Sequence, residues 1–334
     1  MDIINKSFIK RVWPKIKLWD IFYLSISKKF ILYENGNNIK VCVCTVGKQE
    51  NKYIREFVDY YKKYGIDKIF LYDNNDEDGE SFEEVIKDYI DKGFVQINNW
   101  RGIKRPGIRT LKDCYMKNNQ AYDWLIFYDI DEYIHLKNIP NIKIFLNDKK
   151  FIKCKKIYLN WVIHTDNNLL KYDNRSLHER FPKFKPLKRN KKYIGTGKTI
   201  IRGGIKNIRI REVHVLDKKI PRCNSQGKII KSGKGGYIDF ENYFIEHYYF
   251  KSLEEFILKI KKGDTYFGHN KGFIMHRLKR YFMINDITLK KIEFLENKLK
   301  LNLSNYKKIW RLYNLCMNVC NKILSKLNVN KNYE

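Results

Sequence analysis

The stretch Trp124-Leu125-Ile126-Phe127-Tyr128-Asp129-Ile130-Asp131-Glu132-Tyr133 decides how this chain is read. Its first five residues are apolar or aromatic with no polar alternation, which describes a strand buried on both faces and central in a sheet. The run then stops on carboxylates. Asp129 and Asp131 sit two apart, so both project to one side of an extended chain, close enough to share a divalent cation. Glu132 projects to the other side and is expected only to orient backbone at the bend.

Outward from this stretch, toward the N-terminus, residues 40–46 form an apolar strand ending at Gly47. Residues 50–64 carry helical periodicity through Tyr53, Ile54, Phe57, Val58 and Tyr61, stopped by Gly65. A second strand covers 68–72, followed by a polar loop over 73–80. Ser81 can cap a helix running to Asp91, which Gly93 ends. A third strand covers 94–100 and a further helix 109–119. Alternation of this kind predicts a parallel sheet covered on both faces, and ligands of such sheets bind beyond the carboxyl ends of the strands. The polar clusters 45–50, 73–78 and 129–132 fall at those ends, so a parallel topology brings them to one edge.

Beyond residue 138 the alternation loosens. A strand is expected over 151–164, then short strands punctuated by glycine up to Val215 and a mobile loop over 225–236. Ser252-Leu253-Glu254-Glu255 reads as a capping box opening a helix to Lys262. Further on, Leu289, Ile292, Leu295 and Leu299 share one helical face. Three regions follow: an N-terminal amphipathic segment (1–38), an α/β domain (39–270) and a helical C-terminal extension (271–334).

The 334 residues are 43% hydrophobic and 15% aromatic, which excludes a disordered chain. Lys and Arg total 67 against 37 for Asp and Glu, a net charge of +30. Such an excess calls for an acidic partner: nucleic acid, an anionic membrane surface or phosphorylated ligands. No helix-turn-helix, zinc-finger or RNA-recognition signature is present, so no specific nucleic acid is expected. No apolar run reaches the ~20 residues of a membrane span. Residues 6–29 mix aromatic and basic side chains, and either lie on an anionic membrane surface or pack as an ordinary helix. The expected location is cytoplasmic, with peripheral attachment to the membrane. Seven cysteines at irregular spacing make no disulfide framework. All seven are read as buried small hydrophobes in a reducing compartment, with Cys42 and Cys44 on one side of their strand.

Paired carboxylates at a strand's end suit Mg2+ or Mn2+, hard cations that take oxygen ligands and leave room for phosphate and water. A metal there would stabilise a departing diphosphate in transfer from a nucleotide donor.

In order along the chain, residues 41–55 with Thr45, Glu50 and Tyr53-Ile54 come first, then Tyr60, Gly65, Tyr72-Asp73-Asn74, Trp100 and Asp129-Ile130-Asp131-Glu132-Tyr133. Trp161, Glu179-Arg180-Phe181, Lys198-Thr199-Ile200, Val213-His214-Val215 and His247-Tyr248-Tyr249-Phe250-Lys251-Ser252 follow. This series resembles glycosyltransferase family 92 and its relatives in the family 2-like group, over residues 40–264. The chain departs from the family's pattern at Val162-Ile163-His164-Thr165-Asp166 and at Glu246. The resemblance implies the GT-A fold, a Rossmann-like mixed sheet covered by helices. It also implies a divalent metal, a nucleotide-sugar donor and a glycan or glycolipid acceptor. Thr45, Glu50, Asp73, Asp129, Lys198 and Lys251 would contact the donor, with Asp73 near the nucleoside. Asp129 and Asp131 would hold the metal, joined by a histidine, His247 in preference to His214. Glu179 is the candidate base for an inverting transfer, with Asp166 and Glu212 next in line. Lys198 and Arg202 are candidates for phosphate contact. Two other readings stand beside this one: a nucleotidyltransferase, which also sets paired Asp over an α/β sheet, and a basic nucleic-acid-binding protein.

Overall fold

The computed structural model describes residues 39–311, apart from 186–187, 190–191, 194–195, 231–237, 263–270, 301, 305–306 and 309–310. The amphipathic segment 1–38, Cys316 and Cys320 lie outside the described residues.

The first half alternates as expected: β1 (Val41–Gly47), α1 (Asn51–Lys63), β2 (Lys68–Asp73), α2 (Glu83–Asp91), β3 (Val95–Asn99), α3 (Gly107–Asn118) and β4 (Trp124–Phe127). Then come β5 (Glu132–Leu136), α4 (Ile142–Leu146), a 3-10 turn (Lys149–Phe151), β6 (Lys156–His164), α5 (Leu177–Arg180) and the short β7 (Phe184–Lys185), β8 (Lys188–Arg189) and β9 (Lys192–Tyr193). The chain continues through β10 (Gly197–Arg202), β11 (Arg222–Cys223), β12 (Ile229–Ile230), β13 (Tyr243–His247), α6 (Leu253–Lys262), α7 (Lys271–Ile284) and α8 (Leu289–Leu299).

β3, β2, β1 and β4 are parallel neighbours in that order. β10 then lies antiparallel between β4 and β6, which makes the sheet mixed, as expected. All four residues of β4 are buried, as a central strand requires. β1 divides its side chains between two apolar layers. Val41 and Val43 belong to the layer that includes Phe57, Val58 and Tyr61 of α1, while Cys42 and Cys44 belong to the one that includes Leu111, Cys114 and Tyr115 of α3. Gly65, at φ +83°, ends α1 in the left-handed conformation that glycine tolerates.

Four expectations need correction. Strand β6 begins at Lys156 and not at 151, because residues 149–151 turn under an Asp148 cap. Ser81 does not cap α2; Phe82 occupies that position, and the Ser81 carbonyl accepts from Asn51. The loop expected over 225–236 contains β12, paired with β11. Lastly, Cys154 and Cys223 form a disulfide across 69 residues of sequence. The parallel pairing of β11 with β6 at Cys223 and Ile157 brings the two together, a non-local juxtaposition that spacing does not reveal. A disulfide is the mark of an oxidising environment, so this bond runs against the reducing compartment. Cys42, Cys44 and Cys114 are free and buried, as expected.

Helices α7 and α8 dock through Asp166. Its carboxylate pairs with Lys291 at 2.8 Å and accepts from Tyr281, and its amide donates to Asn285.

Candidate functional site

The site grows from the bend between β4 and β5. The Glu132 carboxylate folds back to accept the Asp129 N–H at 3.0 Å, and the Glu132 amide bonds the Asp129 carbonyl at 2.9 Å. Glu132 therefore shapes the turn as expected, from a position with no solvent exposure. Lys198 reaches across from β10, 3.3 Å from Glu132 and 2.9 Å from Asp129. Register puts it there. Ile200 lies opposite Ile126, so Lys198, two residues earlier, lies level with the end of β4. The same register sends Arg202 opposite Trp124, at the other end of the strand. It bonds the carbonyls of Cys154 and Phe151 there and takes no part in the site.

Asp131 is buried, and each of its oxygens is engaged. Oδ1 lies 3.4 Å from His247 Nε2, and Oδ2 accepts from Lys259 Nζ at 2.5 Å. Strand pairing sets His247 directly opposite Glu132, which is why this histidine and not His214 meets the acidic turn. His214 instead bonds the Gly197 carbonyl and packs edge-on to Trp161. Burial would push Asp131 upward, but the Lys259 ammonium, His247 and Lys251 outweigh it and hold the carboxyl well below its ordinary range. Burial also lowers His247 to about 4 despite Asp131, so the imidazole is neutral near pH 7 and keeps a lone pair.

A carboxylate, which suits Mn2+ or Mg2+, and a neutral imidazole, a ligand of transition metals, are thus adjacent. On the far side of that imidazole, Nδ1 is buried without a hydrogen-bond partner, and so is Glu132 Oε1, 3.9 Å away. A metal-bound histidine commonly donates its other N–H to a carboxylate, and these two orphaned atoms are placed to do so after a small tilt of the ring. Among the described residues no three His, Cys, Asp or Glu side chains gather as a metal cage.

Around Asp131 stands a basic wall that the sequence reading touched only at Lys251. Lys251, at φ +55°, lies 3.4 Å from Glu50 and over the Tyr53 ring. Lys262 pairs with Glu50 at 2.6 Å. Arg277 and Arg280 of α7 and Lys259 of α6 surround Tyr249. Burial would raise Glu50, yet Lys251 and Lys262 hold it lowered. Helix α6 is fixed by its expected capping box, in which Glu255 accepts from the Ser252 amide and also binds the buried Arg180 at 2.8 Å and Tyr53. The spacing of Lys259 and Lys262 on one helical face was a usable signal, but only the docking of α6 shows where that face points.

The ends of β1 and β2 form the other flank. Asp73, opposite Gly47 in the register, accepts from the Asn75 amide and pairs with Arg101 at 2.8 Å. Thr45 Oγ1 and Asn75 Nδ2 are buried here without a partner among the described residues, whereas Asn98 Nδ2, also without one, lies on β3 and faces the other side of the sheet from Thr45. Unsatisfied polar groups at a strand end are what a bound polar ligand would satisfy.

Glu179 is not brought to this cluster by any contact described. Its carboxylate is exposed and closes the capping box of α5, accepting from the Ser176 amide and hydroxyl. Those bonds to Ser176 lower its pKa. Asp166 is committed to Lys291 and Tyr281, and Glu212 lies 3.2 Å from Lys218.

Residues 37–268 match the sequence profile of glycosyltransferase family 92. Glycosyltransferase family 92 proteins of Ricinus communis and Oryza sativa subsp. japonica are each 29% identical, over 105 and 99 residues. These alignments cover 31% and 28% of this chain but only 18% and 16% of the relatives, so the chain aligns with less than a fifth of their length. Among solved structures, S. aureus TarS 1-349 is 12% identical at a TM-score of 0.35, over 78% of this chain and 79% of its own. The same TarS fragment in complex with UDP-GlcNAc is 14% identical at 0.34, over 78% and 80%.

Proposed function

The chain belongs to glycosyltransferase family 92, and on that premise we propose that it transfers a sugar, with inversion, from a nucleotide-sugar donor to a hydroxyl of a glycan or glycolipid. The observation that carries this reading is the pairing of Asp131 with a neutral, buried His247 beside a basic wall at the strand-end edge. When bound there by Asp131 and His247, with Asp129 alongside, Mn2+ or Mg2+ would neutralise charge on the departing diphosphate. The nucleoside would lie against the ends of β1 and β2, where Thr45 and Asn75 offer unsatisfied groups and Asp73 a carboxylate. Lys251 and Lys262, now paired with Glu50, and Lys259 face the position proposed for the diphosphate. Lys198 holds Asp129 and Glu132 so that the turn keeps its shape.

Inverting transfer also needs a carboxylate to take the acceptor proton. Glu179 is the proposed base, a role in which its carboxylate leaves the Ser176 hydroxyl.

The test is a thermal-shift screen of nucleotide sugars with and without Mn2+, followed by calorimetry on Asp131→Asn. The variant is expected to fold and to lose metal-dependent donor binding. Unchanged metal-dependent affinity in a folded Asp131→Asn protein would remove the assignment.

A further inference from the structure

Lys259 occupies the position a metal would have to share. Its ammonium is 2.5 Å from Asp131 Oδ2 and 3.3 Å from the Tyr249 carbonyl, and it lies 4.2 Å from the centre of the Tyr249 ring. His247 takes the other oxygen of Asp131, so the carboxylate already has a full positive charge on one side and a metal-ligating nitrogen on the other. A divalent ion entering between Asp131 and His247 would stand within a few ångströms of that ammonium, and like charges at such range in a buried site repel strongly.

Glu50 is engaged by both Lys251 and Lys262. Arg277 and Arg280 crowd the same aromatic ring from α7. Lys251, Lys259 and Lys262 thus share two carboxylates, Asp131 and Glu50, three cations on two anions. A diphosphate would supply the missing anion. It gives Lys259 a new partner and adds oxygens to the metal's coordination shell at the same time.

We propose that Lys259 is a resident counter-cation that occupies Asp131 until the donor arrives, so that the metal binds together with the diphosphate and only weakly on its own. This rests on the reading of Asp131 and His247 as metal ligands. It adds that metal and donor binding are coupled through one lysine, whose ammonium passes from carboxylate to phosphate.

The experiment compares the wild-type chain with Lys259→Met, which keeps an unbranched stem against Tyr249 and removes the charge. Mn2+ alone is titrated by the electron-paramagnetic-resonance signal of the free ion. Preformed Mn2+–pyrophosphate is titrated by calorimetry. A hydrogen bond between charged groups accounts for about tenfold to a hundredfold in affinity. Lys259→Met is therefore expected to bind Mn2+ alone about tenfold or more tightly than wild type, and Mn2+–pyrophosphate about tenfold or more weakly. The opposite signs are diagnostic, because a merely loosened site would weaken both. Unchanged or weaker binding of Mn2+ alone by a folded Lys259→Met protein overturns the proposal. Asp131→Asn in the Lys259→Met background separates the two readings. Loss of the gained Mn2+ affinity supports the competition, whereas its retention shows that the metal does not sit on Asp131 and removes the site assignment itself.

Discussion

Replacing Glu255 by alanine should unfold the basic wall from behind, because this one carboxylate joins three elements. It caps α6 through the Ser252 amide, binds the Arg180 guanidinium at 2.8 Å and accepts from Tyr53 of α1. Both partners of the ion pair are almost fully enclosed, with side-chain exposures of 2% for Arg180 and 3% for Glu255. Burial would raise the Glu255 carboxyl, but Ser252, Tyr53 and Arg180 more than offset this and leave it lowered. Glu255→Ala leaves a buried guanidinium with only Asp173, 4.0 Å away and partly exposed, and breaking a buried pair from one side costs about 3–5 kcal/mol. In a protein of this size each kcal/mol moves the melting temperature by about 2–4 °C, so a fall of roughly 6–20 °C is expected. Urea titration gives the free energy and circular dichroism the melt. Arg180→Met with Glu255→Leu is the informative companion, since apolar replacement of a whole buried pair is often neutral. It should recover most of the loss. A Glu255→Ala protein destabilised by less than about 1 kcal/mol, or a double variant no better than the single one, would refute the argument.

Three further outcomes are expected. Glutamine serves a helix capping box as well as glutamate does, so Glu179→Gln should leave the melt unchanged while turnover falls roughly 10²–10⁴-fold if Glu179 is the base; unchanged turnover reduces it to a cap. His247 is lowered from 6.5 to about 4 on folding, so between those values the unfolded chain takes up a proton that the folded chain refuses. At ~1.4 kcal/mol per pH unit, about 3 kcal/mol of stability should drain away as the pH falls through that window, and His247→Gln should flatten the loss in urea titrations between pH 7 and 4. The net charge of +30 should carry the chain down with anionic vesicles at low salt and release it at high salt, because exposed charges are screened over ~8–10 Å at physiological strength; no sedimentation at low salt removes the membrane surface as a partner.

The parallel half of the fold was legible because its signals are local. An unbroken apolar run such as Trp124 to Tyr128 has few uses besides a central strand, and the five buried residues of α1 are those named from periodicity. Helix and strand ends were less legible. Ser81 looks like a cap in sequence, yet helix α2 starts two residues later, with the Ser81 carbonyl held by Asn51. The disulfide between Cys154 and Cys223 was illegible for a stronger reason. It depends on β11 pairing with β6, and no residue near either cysteine encodes that contact.

The candidate site divides along the same line. Asp129, Asp131 and Glu132 could be placed at the strand's end from the sequence, and Glu132 bonds the turn as expected, but its carboxylate also shares Lys198 with Asp129 and lies 3.9 Å from His247, which an opposite facing does not foresee. His247 could be narrowed to two candidates, but the choice between them lies in the register of β13 against β5, which sets His247 across from Glu132. Lys259, Lys262 and Arg277 were missed because a lysine or arginine on an amphipathic helix usually reads as a solvated face. Here the helices turn that face inward, over Tyr249 and against Asp131 and Glu50. Composition did hint at it: a chain carrying +30 must bring its cations close together somewhere. Where acids lie beneath such a gathering, the cations neutralise them and the surface still carries surplus positive charge. A site of that kind holds its own carboxylates in check with lysine until a ligand of higher negative charge displaces the arrangement. The pairing of Asp131 with Lys259, beside Lys251 and Lys262 on Glu50, has the form such a site requires.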